Sequence, residues 1–440
     1  MSQNLMSFFE RNSAIFKVAA IAFLALMLLI PVAMIDELVM ERKTRQLEAL
    51  EEVSSKWGSE QQVVGPILAV PYYTFDLNKE NERINVVRKL VYFLPEQLDI
   101  SGTIDPEIRY RGLFKVPVYR SNIKIDGHFS PPDTGITDTN AEIDWDGATI
   151  TLGLTDMRGI TDAIDFKWNN EKMVCEPGVS IENITKSGIT INNPLDHLNQ
   201  TEPYTFSINI SLNGSKSISF IPLGKETTAK INSSWNDPGF NGAFLPATRD
   251  ISAHGFSATW KVLELNRNYP QRWTEKNVDL ASSAFGVELI LPGDTYQLTE
   301  RSIKYAILFI SLTFMSFFFI EIIHKQRVHP IQYILVGFGL ALFYLLLLSL
   351  SEHIGFNLSY LIASIAIVAM ITGYSKSIFK NNKLIALMAS ILIVLYGFLF
   401  LLLQMQDLTL LIGSAGLFII LSLVMYLSRK IDWYNLSGKE

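Results

Sequence analysis

The sequence contains one cysteine, Cys175, among its 440 residues. A lone cysteine cannot form an intramolecular disulfide, so a domain of this chain outside the cytoplasm has to be stabilised by core burial alone. We interpret Cys175 as a buried structural thiol rather than a reactive one.

Charge is also scarce: 18% of the residues are charged, and the net charge is -6. This balance gives no electrostatic footprint for nucleic acid, so no nucleic-acid partner is expected. Nearly all the charge lies between Asp36 and Arg301, and the chain from Tyr305 to about Ser428 is almost continuously apolar. An average soluble protein does not show such a partition.

Recognisable catalytic and metal-binding motifs are missing. No two of the six histidines have the i,i+4 spacing of a helical zinc site, and no G-x-S-x-G elbow occurs. Lys216-Ser217 does not complete a phosphate-binding loop, because Ser215 and Ile210 stand where the motif needs glycine. We therefore expect no metal, no cofactor and no enzymatic activity.

The stretch from Asp294 to Phe356 contains two long apolar runs, Tyr305–Ile323 and Ile331–Leu350, on either side of the polar hinge HKQRVHP. Each is long enough to cross about 30 Å of hydrocarbon as a helix. An earlier run, residues 18–35, is interpreted as an uncleaved signal anchor. A cleavable signal peptide is the alternative, but no small-x-small site precedes Asp36.

Together these runs predict a membrane α-helical bundle of six transmembrane helices, with a large β-rich extracytoplasmic domain inserted between helices 1 and 2. The charges of the short connections favour cytoplasmic termini, because basic residues collect on the cytoplasmic side. Basic connections contain Lys325, Arg327, Lys376, Lys380 and Lys383 and the tail starts Arg429-Lys430, whereas the opposite turns carry Glu352 and Asp407.

The predicted domain boundaries follow from the same distribution of apolar runs and charged residues. They are a cytoplasmic N-terminus 1–17, the signal anchor 18–35, a juxtamembrane helix 36–58, a β-rich periplasmic domain 59–300, a helical bundle 305–428 and a cytoplasmic tail 429–440. The bundle helices are expected at about 305–323, 331–350, 356–371, 384–403 and 408–428.

Short β-rich runs separated by Gly, Pro, Asn and Asp predict the strands of the outer domain. Gly65-Pro66 indicates a bulge or a sheet edge. Ser130–Gly135 is either a linker between two lobes or a long loop, so one lobe or two remain open. Asn213-Gly214 predicts a two-residue hairpin turn.

Two features are candidates for function. Glu352 and His353 end the second bundle helix beside Ser349 and Ser351, and ionisable groups in membrane spans are often functional. The alternative is that they only cap the helix and meet water or the outer domain. The aromatic, Gly- and Pro-rich segment 233–260 either packs irregular loops or lines a ligand cleft.

The chain resembles the CreD family of bacterial inner-membrane proteins over nearly its full length. The residues that carry this resemblance are VGPILAVPY (Val64–Tyr72), LTDMRGI (Leu154–Ile160), FLPATRDISAHGFSATW (Phe244–Trp260), the run Asp294–Met315, the run His329–Phe356 and IDWY (Ile431–Tyr434). The resemblance implies one amino-terminal anchor, a large outward domain and a helical bundle. It also implies a role in cell-envelope integrity and stress response, with control by a two-component system and links to β-lactams and colicin tolerance.

We therefore expect a multi-pass protein of the bacterial inner membrane that is not an enzyme. Its partners would be the lipid bilayer and a periplasmic or cell-wall component bound by the outer domain. Two alternatives remain open: a transporter or lipid-handling protein that uses the bundle, with Glu352 and His353 at its outer mouth, and a membrane enzyme with its site after Trp235.

Overall fold

A computed structural model describes residues 13–136, 140–181, 184–195, 202–274, 278–291, 295–324, 326, 328–379, 381–405 and 408–429. The chain forms two compact units. The helical unit consists of the described residues within 1–46 and 293–440, and the β unit of those within 47–292. Much of the predicted N-terminus and tail, and the charged residues Lys325, Arg327, Lys380 and Asp407, lie outside the described residues.

Eight α-helices are described. They are α1 Ser13–Met27, α2 Leu29–Trp57, α3 Thr295–Lys304, α4 Ala306–Ile323, α5 Pro330–Ile354, α6 Phe356–Ile378, α7 Asn382–Gln404 and α8 Thr409–Ser428. Within the described residues, six helical segments are long and apolar enough to cross a membrane: Lys17–Trp57, which joins α1 and α2, and α4 to α8. Several long apolar helices of this kind are characteristic of a membrane protein.

Two glycines of the helical unit are required by their surroundings, one for close helix packing and one for a turn. A Cβ on Gly337 of α5 would lie 2.0 Å from Cδ1 of Leu28, so glycine at 337 lets the first span pack on α5. Gly355 alone separates α5 from α6 and has φ 78° and ψ 164°. Residues with a Cβ atom rarely adopt this backbone conformation, so glycine is required at this turn.

The interior of the helical unit is aromatic. The Phe343 ring packs against Tyr344, Tyr360 and Tyr396, with ring centroids 5.1, 5.4 and 4.8 Å away. Tyr360 also donates a hydrogen bond to the carbonyl of Tyr396, 2.7 Å away. These contacts link α5, α6 and α7.

The β unit has eighteen described strands. They are β1 Gln61–Leu77, β2 Arg83–Phe93, β3 Gln97–Arg111, β4 Phe114–Phe129, β5 Ala141–Ile143, β6 Thr149–Leu154, β7 Asp165–Trp168, β8 Glu171–Met173, β9 Glu176–Pro177, β10 Gly188–Asn192, β11 Tyr204–Ser215, β12 Ser217–Phe220, β13 Glu226–Ser233, β14 Pro238–Gly242, β15 Thr248–Ser252, β16 Gly255–Leu263, β17 Arg272–Thr274 and β18 Phe285–Leu289. A ten-stranded sheet has the path β14-β18-β12-β1-β6-β10-β9, with β2 and β5 also on β1 and with β17 on β2. An eight-stranded sheet has the order β15-β16-β13-β3-β4-β11-β7-β8.

Both sheets contribute to one hydrophobic core. Ile67 and Ile150 come from the first sheet and Ile125 and Ile208 from the second, and all four are fully buried in the same cluster. Buried and exposed residues alternate along β3 and β11, which is typical of strands with one face on the core and one face in solvent. The β unit is therefore a single lobe built on one core.

Two turn predictions differ in outcome. The register of β1 against β6 shifts between Val64 and Ile67, so the bulge expected at Gly65-Pro66 is present. The hairpin expected at Asn213-Gly214 is wrong, because β11 continues through both residues in register with β4. Glycine is needed at 214 for another reason: a Cβ there would lie 2.2 Å from the Tyr119 hydroxyl.

The last turns of α2 belong to the β unit and are fixed to it by aromatic and polar contacts. The Arg109 guanidinium lies 3.6 Å from the Trp57 ring centroid, and the Trp57 indole N–H donates to the Tyr119 carbonyl at 3.2 Å. Arg111 pairs with Glu52 at 2.8 Å. The juxtamembrane helix is thus anchored in the β unit at this end.

The LTDMRGI segment forms a polar junction in the β unit. Asp156 accepts hydrogen bonds from Arg158 Nε at 2.9 Å and from the Ser59 backbone N–H at 3.0 Å. Gln61 donates to the Asp156 carbonyl at 3.0 Å and so fixes the start of β1. The Arg158 guanidinium, followed by the Ser59 donors, holds the pKa of Asp156 well below its usual range despite burial.

Candidate functional sites

The predicted site residue Glu352 lies in the last turn of α5 and has two partners from other helices. The Tyr296 hydroxyl of α3 donates to it at 3.0 Å, and Arg42 Nε of α2 lies 3.7 Å away. The Glu352 side chain is only 9% exposed. Burying a carboxylate to this extent is unfavourable unless it is paired and hydrogen-bonded, and these two partners meet that requirement.

A second carboxylate, Glu300 of α3, lies in the same set of interactions. We call this set the Glu352 cluster; it consists of Arg42, Lys43, Tyr296, Glu300 and Glu352. Glu300 pairs with Lys304 at 2.8 Å and with Lys43 at 3.6 Å. The hydrogen bond from Lys304 lowers the pKa of Glu300, and the charge of Lys43 acts in the same direction. The cluster therefore joins α2, α3 and α5 through opposite charges.

His353 does not join the cluster. It is exposed and makes no hydrogen bond or ion pair with the residues that the structure describes. The two candidates are thus adjacent in sequence but differ in surroundings. The contacts of Glu352 are those of a residue that positions helices, and its role as a transport residue stays a prediction.

The structure also shows a buried acidic residue that is not among the predicted site residues. Glu321 lies in the last turn of α4 and is 5% exposed. Lys17 of α1 donates to Oε1, and the Val328 backbone N–H donates to the same oxygen at 2.9 Å. The Tyr333 hydroxyl of α5 donates to Oε2 at 3.1 Å.

The four residues Lys17, Glu321, Val328 and Tyr333 form what we call the Glu321 junction. It connects the first span to α4, to the following hinge and to α5. The only hint in the sequence was that Lys17 starts one apolar run and Glu321 nearly ends another. Antiparallel spans bring such ends to the same side of a membrane, which could have suggested the pair.

The β unit contains an open cleft of about 590 Å³ over the face shared by β5, β1 and β2. Tyr73 of β1 stands directly opposite Glu142 of β5 and Arg88 of β2, and directly paired residues point to the same face. Phe75, two residues further along β1, lines the same cleft. We call this feature the β1 cleft; its remaining polar and apolar lining is Arg83, Val86, Ile143, Asp144, Trp145, Asp146 and Leu195.

Charged groups in the β1 cleft are partly paired among themselves. Arg83 forms an ion pair with Glu142, and its guanidinium carbon lies 4.5 Å from the Phe75 ring centroid. Asp144 Oδ1 accepts the Gly147 N–H at 2.9 Å. Asp146 is exposed and makes no hydrogen bond or ion pair within the described part of the chain.

The aromatic segment after Trp235 is largely used for packing. Trp260 is 1% exposed, and its indole donates to the Phe244 carbonyl at 3.1 Å. Phe240 makes edge contacts with the rings of Phe256 and Trp260, both with centroids 5.7 Å away. Trp235 donates to the Ile290 carbonyl at 3.0 Å, so it joins this segment to the residue after β18.

The single thiol of the chain and its possible metal ligands are the remaining reactive side chains. Cys175 is half-buried, and burial, followed by the charge of Asp165, raises the pKa of its thiol. A raised thiol pKa lowers the thiolate fraction and so reduces reactivity. Across the described ranges, no group of three or more His, Cys, Asp and Glu side chains is placed to hold a metal ion.

Comparison with known proteins adds the family. The sequence profile described as "Inner membrane protein CreD" matches residues 13–434. The chain is 32% identical over 437 residues to the Inner membrane protein CreD of Escherichia coli strain K12, covering 97% of this chain and 95% of that protein. This chain belongs to the CreD family, and its several long apolar helices make it a multi-pass inner-membrane protein.

Proposed function

We propose that this protein maintains the integrity of the cell envelope under stress, without catalysing a reaction. In this proposal six helices fix it in the inner membrane, and the β unit lies on the periplasmic side and binds an envelope component. The observation that carries the binding role is the β1 cleft, an open cavity lined by partly exposed aromatic rings and by charged side chains.

The charges of the connections support this orientation. Lys376 and Lys383 flank the connection between α6 and α7, whereas Glu352 ends α5 at the opposite side of the bundle. Basic connections favour the cytoplasm. The β unit follows the first span on the side opposite the N-terminus, which then corresponds to the periplasm.

The side chains of the β1 cleft fit binding better than catalysis. Glu142 is occupied by Arg83, and Asp144 by the turn at Gly147, so neither is free to act as a general acid or base. Asp146 is exposed and makes no hydrogen bond or ion pair within the described part of the chain, so its oxygens can accept hydrogen bonds from a ligand.

Deletion and complementation test this proposal. A deletion strain should admit more of an excluded fluorescent dye under a β-lactam challenge, and the wild-type chain should restore the barrier. A chain with Asp146→Asn and Trp145→Leu should reach the membrane at normal abundance yet restore less. A control chain with Asp250→Asn, a change on exposed strand β15 outside the cleft, should restore fully. A deletion strain with an unchanged barrier would contradict the proposal.

A further inference from the structure

We infer that the β1 cleft is a saccharide-binding site, which takes a short stretch of a hydroxyl- and acetamido-bearing glycan. This inference rests on the proposed binding role of the β unit and adds the chemical class of the ligand. Three kinds of observation carry it: partly exposed aromatic rings that line one cavity, charges that are nearly balanced, and the volume and open side of the cavity.

Three rings line the cleft without being buried. Tyr73, Phe75 and Trp145 are each only half-buried, although rings of this size normally gain most from full burial. Arg83 covers one face of the Phe75 ring, so Tyr73 and Trp145 provide most of the flat apolar surface inside the cavity. A sugar ring has a face of C–H groups that packs on such a surface, while its hydroxyl groups project from the edge.

The charges around the rings select against a strongly charged ligand. Arg83 and Arg88 oppose Glu142, Asp144 and Asp146 on or beside this face, and Arg83 and Glu142 already neutralise each other. A ligand that is itself an ion would therefore gain little net attraction. Neutral hydroxyl and amide groups gain more, because charged partners make stronger hydrogen bonds than neutral ones.

The cleft contains both donors and acceptors at its rim. Arg83 offers only donors and Asp146 only acceptors, and a hydroxyl group can pair with either. The volume of about 590 Å³ lies within the range of sites for small ligands, so it accommodates a few sugar rings and not a folded protein. The open side lets a longer chain continue beyond the cleft.

A cationic peptide is the competing ligand, since aromatic rings and carboxylates also attract cations. The position beside Phe75 and Glu142, which would suit such a cation best, is filled by Arg83 of the protein itself. Because Arg83 already fills the position that a ligand cation would take, the cleft favours a saccharide. Binding measurements with one probe of each kind distinguish the two ligands.

The test uses the full-length protein in lipid nanodiscs and two probes, the tetramer of N-acetylglucosamine and tetralysine. Saturation-transfer NMR should detect contact between the protein and the sugar ring protons, and titration should give the affinity. Asp146→Asn should weaken sugar binding about tenfold, the loss of one hydrogen bond to a charged group. Trp145→Leu should weaken it by at least as much, because it keeps an apolar side chain against the core and removes the flat ring.

Two matched controls lie on exposed positions outside the cleft. Tyr110 is 65% exposed, so Tyr110→Ala removes an aromatic ring at no cost to the cleft, and Asp250→Asn removes a carboxylate. Both should bind the sugar like the wild type. Unchanged thermal unfolding midpoints show that each variant is folded.

Sugar binding that is lost only in the cleft variants supports the inference. Binding of tetralysine alone, binding of neither probe, or sugar binding that the cleft variants leave unchanged overturns it. The proposed envelope function is judged separately, by complementation of the deletion strain. A chain that restores the barrier but binds no sugar refutes the saccharide site and leaves the envelope function standing.

Discussion

The Glu321 junction gives the sharpest prediction for the helical unit, because its two charges differ in their access to water. The Glu321 side chain is 6% exposed and that of Lys17 is 34% exposed. If Lys17 is replaced by Met, the Glu321 carboxylate stays buried with only the Tyr333 hydroxyl and the Val328 N–H. Removing one partner of a buried pair costs about 3–5 kcal/mol, and we expect about 3 kcal/mol here because Lys17 is partly hydrated.

The opposite change should cost less. Glu321→Gln keeps one oxygen that accepts the Val328 N–H, and its new amide N–H can donate to the Tyr333 hydroxyl oxygen in place of the present bond. The freed Lys17 can turn towards water. We expect a loss of about 1–2 kcal/mol, the range of weakened hydrogen bonds. The double variant should lose less than the sum of the single variants, with a coupling of at least about 1 kcal/mol.

Two spectroscopic probes separate the units during denaturation of the protein in mixed micelles. In a Trp433→Phe background the remaining six tryptophans all lie in the β unit, so their fluorescence reports that unit. Helical circular dichroism reports mainly the helical unit. The Lys17→Met variant should lower the helical transition and leave the fluorescence transition unchanged.

An exposed pair supplies the control. Lys56 and Glu52 are 2.9 Å apart, with side chains 73% and 38% exposed, so Lys56→Met should leave both transitions close to those of the wild type. A Lys17→Met variant as stable as the wild type would refute the account of the junction. Strict additivity of the two single changes would refute it as well.

Three further outcomes are expected. Asp156→Asn should destabilise the β unit at neutral pH, and the variant should lose less stability than the wild type as the pH falls below about 4. The reason is that the lowered pKa of Asp156 contributes stability that disappears as the carboxylate is protonated. Thermal unfolding followed by fluorescence between pH 7 and 3 checks this. Gly355→Ala should cost about 1–3 kcal/mol in the helical transition, since φ is 78° there. Gly214→Ala should cost about 1–3 kcal/mol in the fluorescence transition, because the new methyl group meets the Tyr119 ring, whereas replacement of Gly112, which has open space, should not show that clash.

Much of the helical unit could be predicted because long apolar runs have few alternatives to a membrane helix. The apolar run after Tyr305 becomes α4, and Ile331–Leu350 lies inside α5. Helix ends were less predictable: α6 continues to Ile378, past the expected end at 371, because Ser375 and Lys376 continue the helix as polar residues at its end. Polarity alone does not stop a helix.

Side-chain partners were predicted less well than elements, because they depend on distant parts of the chain. Glu352 was predicted to act together with its sequence neighbour His353, yet its partners Tyr296 and Arg42 come from two other helices. Asn213-Gly214 had the composition of a hairpin turn, but pairing along β4 overrides this local preference. The β1 cleft is assembled from three strands, so no single segment shows it.

The central claim is that the β unit faces the periplasm, and the single cysteine makes it directly measurable. With Cys175→Ser as background, one cysteine is placed at Tyr110, which is 65% exposed in the β unit, or at Ser377, exposed at the end of α6. Intact spheroplasts are then treated with a membrane-impermeant maleimide. The account predicts labelling at 110 in intact spheroplasts and labelling at 377 only after permeabilisation. Labelling at 377 but not at 110 in intact spheroplasts would contradict it.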